Sequence, residues 1–177
     1  MRELADAARI LRFMEALGDA ATAPGRVYFT GGATAVLLGW RASTIDVDLK
    51  LVPESDALLR AIPELKERLR INVELASPAD FIPIPLGWEE RSRFAAEARR
   101  LAFYHFDLYG QALAKVERGH AQDLADVREM LARGLIEPAR ALEYFARIEP
   151  ELYRYPALHG PSFRRAVDEA FSRPSQA

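Results

Sequence analysis

The stretch Val27-Tyr28-Phe29-Thr30-Gly31-Gly32-Ala33-Thr34 most constrains how this chain folds. An apolar run ends in two glycines, and a second apolar run, Ala33 to Trp40, follows at once. A short buried strand, a sharp turn and a buried helix fit that order, because glycine turns without a Cβ to clash. A few residues on, Ile45, Val47, Leu49 and Leu51 alternate with Asp46, Asp48 and Lys50. That is the period of a strand with one face in the core and one in water. Strand, Gly-Gly turn, helix and Asp-x-Asp strand in sequence is a more specific pattern than any of its parts.

The remainder reads as mixed first and helical second. Leu4 to Ala21 places Leu4, Ala8, Leu11, Met14 and Leu17 at helical spacing, and Ala23-Pro24-Gly25 breaks it. Ser55 to Leu69 is helical in pattern, with Pro63 expected to open a second helical turn rather than sit inside one. Ile71 to Leu75 alternates as a strand with Glu74 on its polar face, Ser77 to Pro85 is a proline-punctuated loop, and Leu101 to Phe106 is a last strand. Helices are then expected from Leu108 through Lys115, Ala121 to Ala132, Pro138 to Phe145 and Phe163 to Phe171. His120 or Gln122 would cap the second of these, Glu137-Pro138 starts the third, and the tail after Arg173 should fray. The expected class is α+β: a mixed sheet flanked by helices over 1–106 and a carboxy-terminal helical lobe over 107–177, together one compact unit.

Composition narrows the function classes. Half the residues are hydrophobic, enough for a core in a chain of 177 residues. With 24 basic and 26 acidic residues the net charge is -2, which excludes a strongly basic nucleic-acid binder. The absence of cysteine removes disulfides, thiolate metal sites and a cysteine nucleophile. No apolar run is long enough to span a membrane and no signal-peptide core is present, so a cytoplasmic location is expected.

Asp46 and Asp48 are two apart on a strand, so both carboxylates leave the same face, with Cα atoms roughly 6.7 Å apart. Carboxylates so placed can converge on a divalent cation. Magnesium suits them, since it takes oxygen ligands and keeps positions for water and substrate phosphates. Gly31-Gly32 lets the backbone approach a ligand closely, and the helix behind it presents amides and a positive dipole end to an anion. Thr30 and Thr34 can add hydroxyl donors. Together these residues point to a site for a metal-bound nucleotide.

Gly31-Gly32, the apolar helix, Arg41-x-x-Thr44 and Asp46-Val47-Asp48 resemble the signature of the DNA polymerase β-like nucleotidyltransferase superfamily. The resemblance is nearest to its minimal, AbiEii-like members, which are toxins of bacterial toxin–antitoxin pairs. It continues into Lys115-Val116-Glu117-Arg118 and Asp123-Leu124-Ala125-Asp126. It implies metal-dependent transfer of a nucleotide from a nucleoside triphosphate to an acceptor such as a tRNA end, and a protein antitoxin as partner. It also implies a third carboxylate from a neighbouring strand. Glu74 fits by position, where many relatives carry aspartate, and Asp80 is the second candidate. Asp46, Asp48 and Glu74 would then be the catalytic metal ligands of a two-magnesium site. Gly31, Gly32, Thr34, Arg41, Thr44, Lys115, Arg118 and Asp123 would contact the nucleotide, with Lys115 on phosphate, Arg118 assisting by forked hydrogen bonds, and Asp123 or Asp126 orienting Lys115 or Arg118 or meeting sugar or base.

Other features argue for less. His105, His120 and His159 lack metal-ligand spacing and read as surface or capping residues. Arg91, Arg93, Arg99 and Arg100 interleave with Glu89, Glu90 and Glu97 as a solvated helical face. Tyr144, Phe145, Tyr153 and Tyr155 read as packing rather than a base-stacking platform. No helix-turn-helix is visible, so sequence-specific DNA binding is not expected. A haloacid-dehalogenase-type phosphatase also uses Asp-x-Asp, but gives Gly31-Gly32 no role. The rival that remains is a scaffold of the same fold that binds a nucleotide or a partner without catalysis.

Overall fold

A computed structural model describes residues 3–172, so the tail after Arg173 lies outside the described residues. In chain order the elements are β1 (Ala5–Asp6), α1 (Ala7–Ala20), β2 (Gly25–Thr30), α2 (Gly31–Leu38), β3 (Ser43–Thr44), β4 (Asp46–Val52), α3 (Asp56–Arg68) and β5 (Asn72–Leu75). They continue with α4 (Trp88–Arg91), β6 (Arg93–Ala98), β7 (Leu101–His105), α5 (Leu108–Arg118), α6 (Ala121–Ala132), α7 (Pro138–Ile148) and α8 (Gly160–Phe171). The fold is α+β. Two units share the chain: one runs to Ser77 and takes in Ser92–Phe106, and the other joins Pro78–Arg91 to the described residues from Asp107 onward.

The first unit is built on a five-stranded sheet in the order β5-β4-β2-β7-β6. Strand β2 runs antiparallel to β4 and parallel to β7, β4 runs parallel to β5, and β6 closes an antiparallel hairpin with β7. Val27, Phe29, Val47, Leu49, Leu101 and Phe103 are buried in one core with Ile10, Phe13 and Leu17 of α1 and Leu58, Ile62 and Leu65 of α3. Period-two alternation turns Asp46 and Asp48 away from that core, as the half-buried and buried positions of β4 alternate. The same alternation puts Tyr28 and Tyr104 together, stacked 5.4 Å apart.

Several elements depart from the reading of the sequence. Helix α1 begins at Ala7, because Ala5 and Asp6 pair with Thr44 and Ser43 as a small antiparallel ladder and Asp6 caps the Arg9 amide at 2.9 Å. Its inward stripe is Ile10, Phe13, Met14 and Leu17, while Leu4 and Leu11 are exposed. Pro63 sits inside α3, which continues from its Ser55 cap to Arg68; burial of Leu58, Ile62 and Leu65 holds the helix across the missing amide. The residues expected as a solvated helical face are instead α4 and the hairpin β6–β7, turned at Arg99 with φ of 56° and bulged between Phe94 and Ala96. Leu75, expected inward, is exposed on the edge strand β5.

The second unit is helical. Arg91 organises its entry: the guanidinium donates to the carbonyls of Leu86 at 2.6 Å and Pro85 at 3.0 Å and to Asp107 Oδ2 at 2.8 Å. It also lies 4.4 Å over the Tyr144 ring. Tyr144 and Phe145 are buried and Phe145 meets Phe163 edge-on at 4.9 Å, whereas Tyr153 is exposed. Tyr155 donates its hydroxyl to Ala79 O at 2.7 Å.

Candidate active site

The two glycines are the first residues of α2, and the sheet explains why both lack side chains. Gly31 has φ of 61°, and a Cβ there would lie 3.3 Å from Asp48 Oδ2. At Gly32 an added Cβ would come within 2.6 Å of Thr44 Cβ and 3.3 Å of an Arg41 guanidinium nitrogen. Antiparallel pairing of Thr30 with Asp48 carries the second aspartate to the helix start. Thr30 occupies the cap position in extended conformation, and its side chain makes no capping bond to the first turn. Gly31, Gly32, Arg41, Thr44 and Asp48 thus converge on one helix N-terminus, where backbone amides and the macrodipole favour an anion.

Beside this turn lie the carboxylates. Parallel pairing of β4 with β5 sets Asp46 against Asn72 and Asp48 against Glu74. The Asn72 side-chain amide donates to Asp46 Oδ1 and, at 3.4 Å, to Glu74 Oε1. Thr44 Oγ1 donates to the Asp46 carbonyl at 2.9 Å, which ties the Arg41–Thr44 segment to the head of β4. Among the described residues no three His, Asp or Glu side chains gather closely enough to hold a metal ion. The expected three-carboxylate group of Asp46, Asp48 and Glu74 is therefore not assembled in this conformation. Glu74 is exposed on the edge strand and turns to Asn72. Asp46 and Asp48 still fit one hard cation: both offer carboxylate oxygen on one strand face, beside a cradle that a Cβ at Gly31 would fill.

Thr34 does not offer its hydroxyl to a ligand here. It is fully buried, donates to Phe29 O at 3.3 Å and lies 3.1 Å from His105 Nδ1. His105, read from sequence as a surface or capping residue, is buried at the end of β7. Burial, and to a lesser degree the charge of Arg93, pushes its pKa down to about 4, so the ring stays neutral. His159 does cap, accepting the Ser162 amide at 3.2 Å, whereas His120 holds the cap position of α6 without a side-chain bond.

In the second unit the expected phosphate-binding group is a closed ion-pair cluster. Lys115 is buried, with its ammonium 2.7 Å from Asp126 Oδ2 and 3.6 Å from Asp123 Oδ1. Arg118 forks onto Asp123 through bonds of 2.8 and 2.5 Å, and Gln122 donates to Asp126 at 3.3 Å. Burial opposes ionisation of Asp123, yet the Arg118 hydrogen bonds and charge, helped by Lys115, hold its carboxyl below the usual range. Lys115 is therefore committed to carboxylates, because a buried ammonium needs its counter-charges. Arg118 is the cation of this cluster that reaches water, with 56% of its side chain exposed. Asp80, the second candidate for a third carboxylate, ends the short 3-10 turn Pro78–Asp80 of this unit.

Sequence reasoning assigned no role to Asn72 and discounted His105. Alternation already placed Asn72 on the face of Glu74, and an amide two residues from a candidate carboxylate was the available signal. Nothing local marks His105, whose partner Thr34 is 71 residues away.

No curated protein and no solved structure matches the chain. A family model does, over residues 8–141, a span that holds the glycine turn, the Asp46–Asp48 strand, β5 and the Lys115–Asp126 cluster. By that match this chain belongs to the family described as nucleotidyltransferase of unknown function (DUF6036).

Proposed function

We propose that this chain transfers a nucleoside monophosphate unit from a nucleoside triphosphate to an acceptor hydroxyl, with a divalent cation at Asp46 and Asp48. The observation that carries this reading is the placement of the Asp48 carboxylate against Gly31 at the first turn of α2. A phosphate-binding helix start and a carboxylate pair then serve one ligand, as a metal-bound triphosphate requires.

The residues divide the work by their chemistry. The α2 amides receive phosphate oxygens, and Gly31 and Gly32 allow that approach. Arg41 supplies a forked donor to the same anion. Asp46 and Asp48 hold the cation, with Glu74 kept near Asp46 through Asn72. A cation bound there neutralises phosphate charge and lowers the pKa of an acceptor hydroxyl. The acceptor oxygen forms its bond to the α-phosphorus in line as the bond to pyrophosphate breaks, and the hydroxyl proton passes to solvent. Positioning and charge neutralisation supply the catalysis. Lys115 acts by fixing Asp123 and Asp126 rather than by touching phosphate. A tRNA end as acceptor, and a toxin role with a neutralising protein partner, follow the AbiEii-like resemblance of the Gly31–Asp48 stretch.

The test is a transfer assay with magnesium, each α-labelled nucleoside triphosphate and total tRNA, beside an Asp46→Ala/Asp48→Ala double variant. Label entering the acceptor with wild type alone is the expected result. The ungathered third carboxylate favours one second reading, a nucleotide-binding scaffold without catalysis. Nucleotide binding that is lost in the double variant, with no transfer to any acceptor, would select it.

A further inference from the structure

We propose that Asn72 is a positioning residue that fixes the Asp46 carboxylate for the cation, its amide donating to Asp46 and to Glu74. This rests on the reading of Asp46 and Asp48 as cation ligands. The parallel register sets Asn72 directly opposite Asp46, and the side chain of Asn72 is almost buried, so its amide has a fixed direction. Its Nδ2 faces Asp46 Oδ1 and Glu74 Oε1.

The orientation of that amide is dictated by chemistry. An ionised carboxylate only accepts hydrogen bonds, and an amide nitrogen carries two hydrogens. Turned the other way, Asn72 would set a third oxygen against two carboxylates, so the donor orientation is the one the network selects. Two like charges on neighbouring strands repel, and a buried donor shared between them offsets that repulsion without adding a charge of its own. Asn72 thereby fixes the direction of the Asp46 carboxylate while leaving its negative charge intact for a cation. Aspartate at this position would repel both neighbours, and leucine of similar size would leave them without the shared donor.

The experiment titrates manganese, by its electron paramagnetic resonance signal, into wild type, Asn72→Leu and Asn72→Ser, with circular dichroism confirming that each variant folds. Hydrogen-bonded partners outside a metal's own ligands change its affinity by about 10–100-fold. A drop of at least about tenfold is expected for Asn72→Leu. Asn72→Ser, which keeps one donor, should recover part of it. A second readout needs no metal: the Asn72 side-chain amide resonances should move on Asp46→Ala and again on Glu74→Ala. Manganese affinity unchanged in Asn72→Leu, with wild type binding well, overturns the positioning role and leaves the cation site standing. Wild type that binds no manganese, with or without a nucleoside triphosphate, overturns both. Should Asn72→Leu fail to fold, Asn72→Ser and the amide resonances decide the question.

Discussion

Gly31 answers to two demands at once, a left-handed backbone and the nearness of Asp48. A side chain in the left-handed region costs about 1–2 kcal/mol, so Gly31→Ala should lower stability by that order and displace Asp48. Urea melts and nucleotide affinity measured on the same variant check both effects. Gly32 is constrained differently, by the side chain of Thr44, so Gly32→Ala should be partly rescued by Thr44→Gly. His105 gives a pH-dependent prediction. Its folded-state pKa of about 4 lies below the ordinary 6.5, so between those values the unfolded chain binds the extra proton. The contribution is complete above about pH 6.5 and is lost as pH falls toward 4, on the order of 3 kcal/mol in all. Urea midpoints should therefore fall more between pH 7 and 4.5 in wild type than in His105→Gln; parallel falls would refute this. The residues of the glycine turn were legible in the sequence because Gly and Asp-x-Asp have local meanings. His105 was not, because its role exists only once β7 lies beside β2.

At the level of elements, α3 carries a visible penalty. Pro63 removes the amide that would bond to the carbonyl four residues earlier, and its position on α3 is exposed, outside the buried stripe of Leu58, Ile62 and Leu65. Pro63→Ala should raise stability by about 1–3 kcal/mol, less what the proline saves by stiffening the unfolded chain. A rise in Tm with unchanged nucleotide binding is the expected signature. The α5–α6 corner gives the opposite case. Lys115→Met leaves the buried Asp126 without its ammonium, and breaking such a pair costs about 3–5 kcal/mol. Adding Asp126→Leu should restore much of the loss, since the uncompensated charge is then gone. Were Lys115→Met to unbind phosphate without loss of stability, the cluster would be a ligand site and not a structural pair. Helix periodicity made α6 and the start of α7 readable. The Arg93–Ala98 strand was missed because its charges mimic an exposed helical face, and pairing with β7 outweighs that local pattern.

For the whole molecule, linkage offers the broadest test. A ligand that binds only the folded state at a hundredfold excess over its Kd stabilises it by about 2.7 kcal/mol. Magnesium with the correct nucleoside triphosphate should raise Tm accordingly, and the Asp46→Ala/Asp48→Ala variant should show no rise. Among the described residues no helix is long and apolar enough to cross a membrane. The sequence by itself determined the order of strand, glycine turn, helix and carboxylate strand. Those features follow from backbone sterics and side-chain periodicity, which act over a few residues. Only the tertiary structure decided which groups share the site. The β4–β5 register delivers Asn72 to Asp46 across 26 positions and draws Glu74 toward that amide. Burial turns Thr34 and Lys115 inward to partners of their own. Strand register and burial are set by the packing of the whole core, and no local stretch of the chain contains that information.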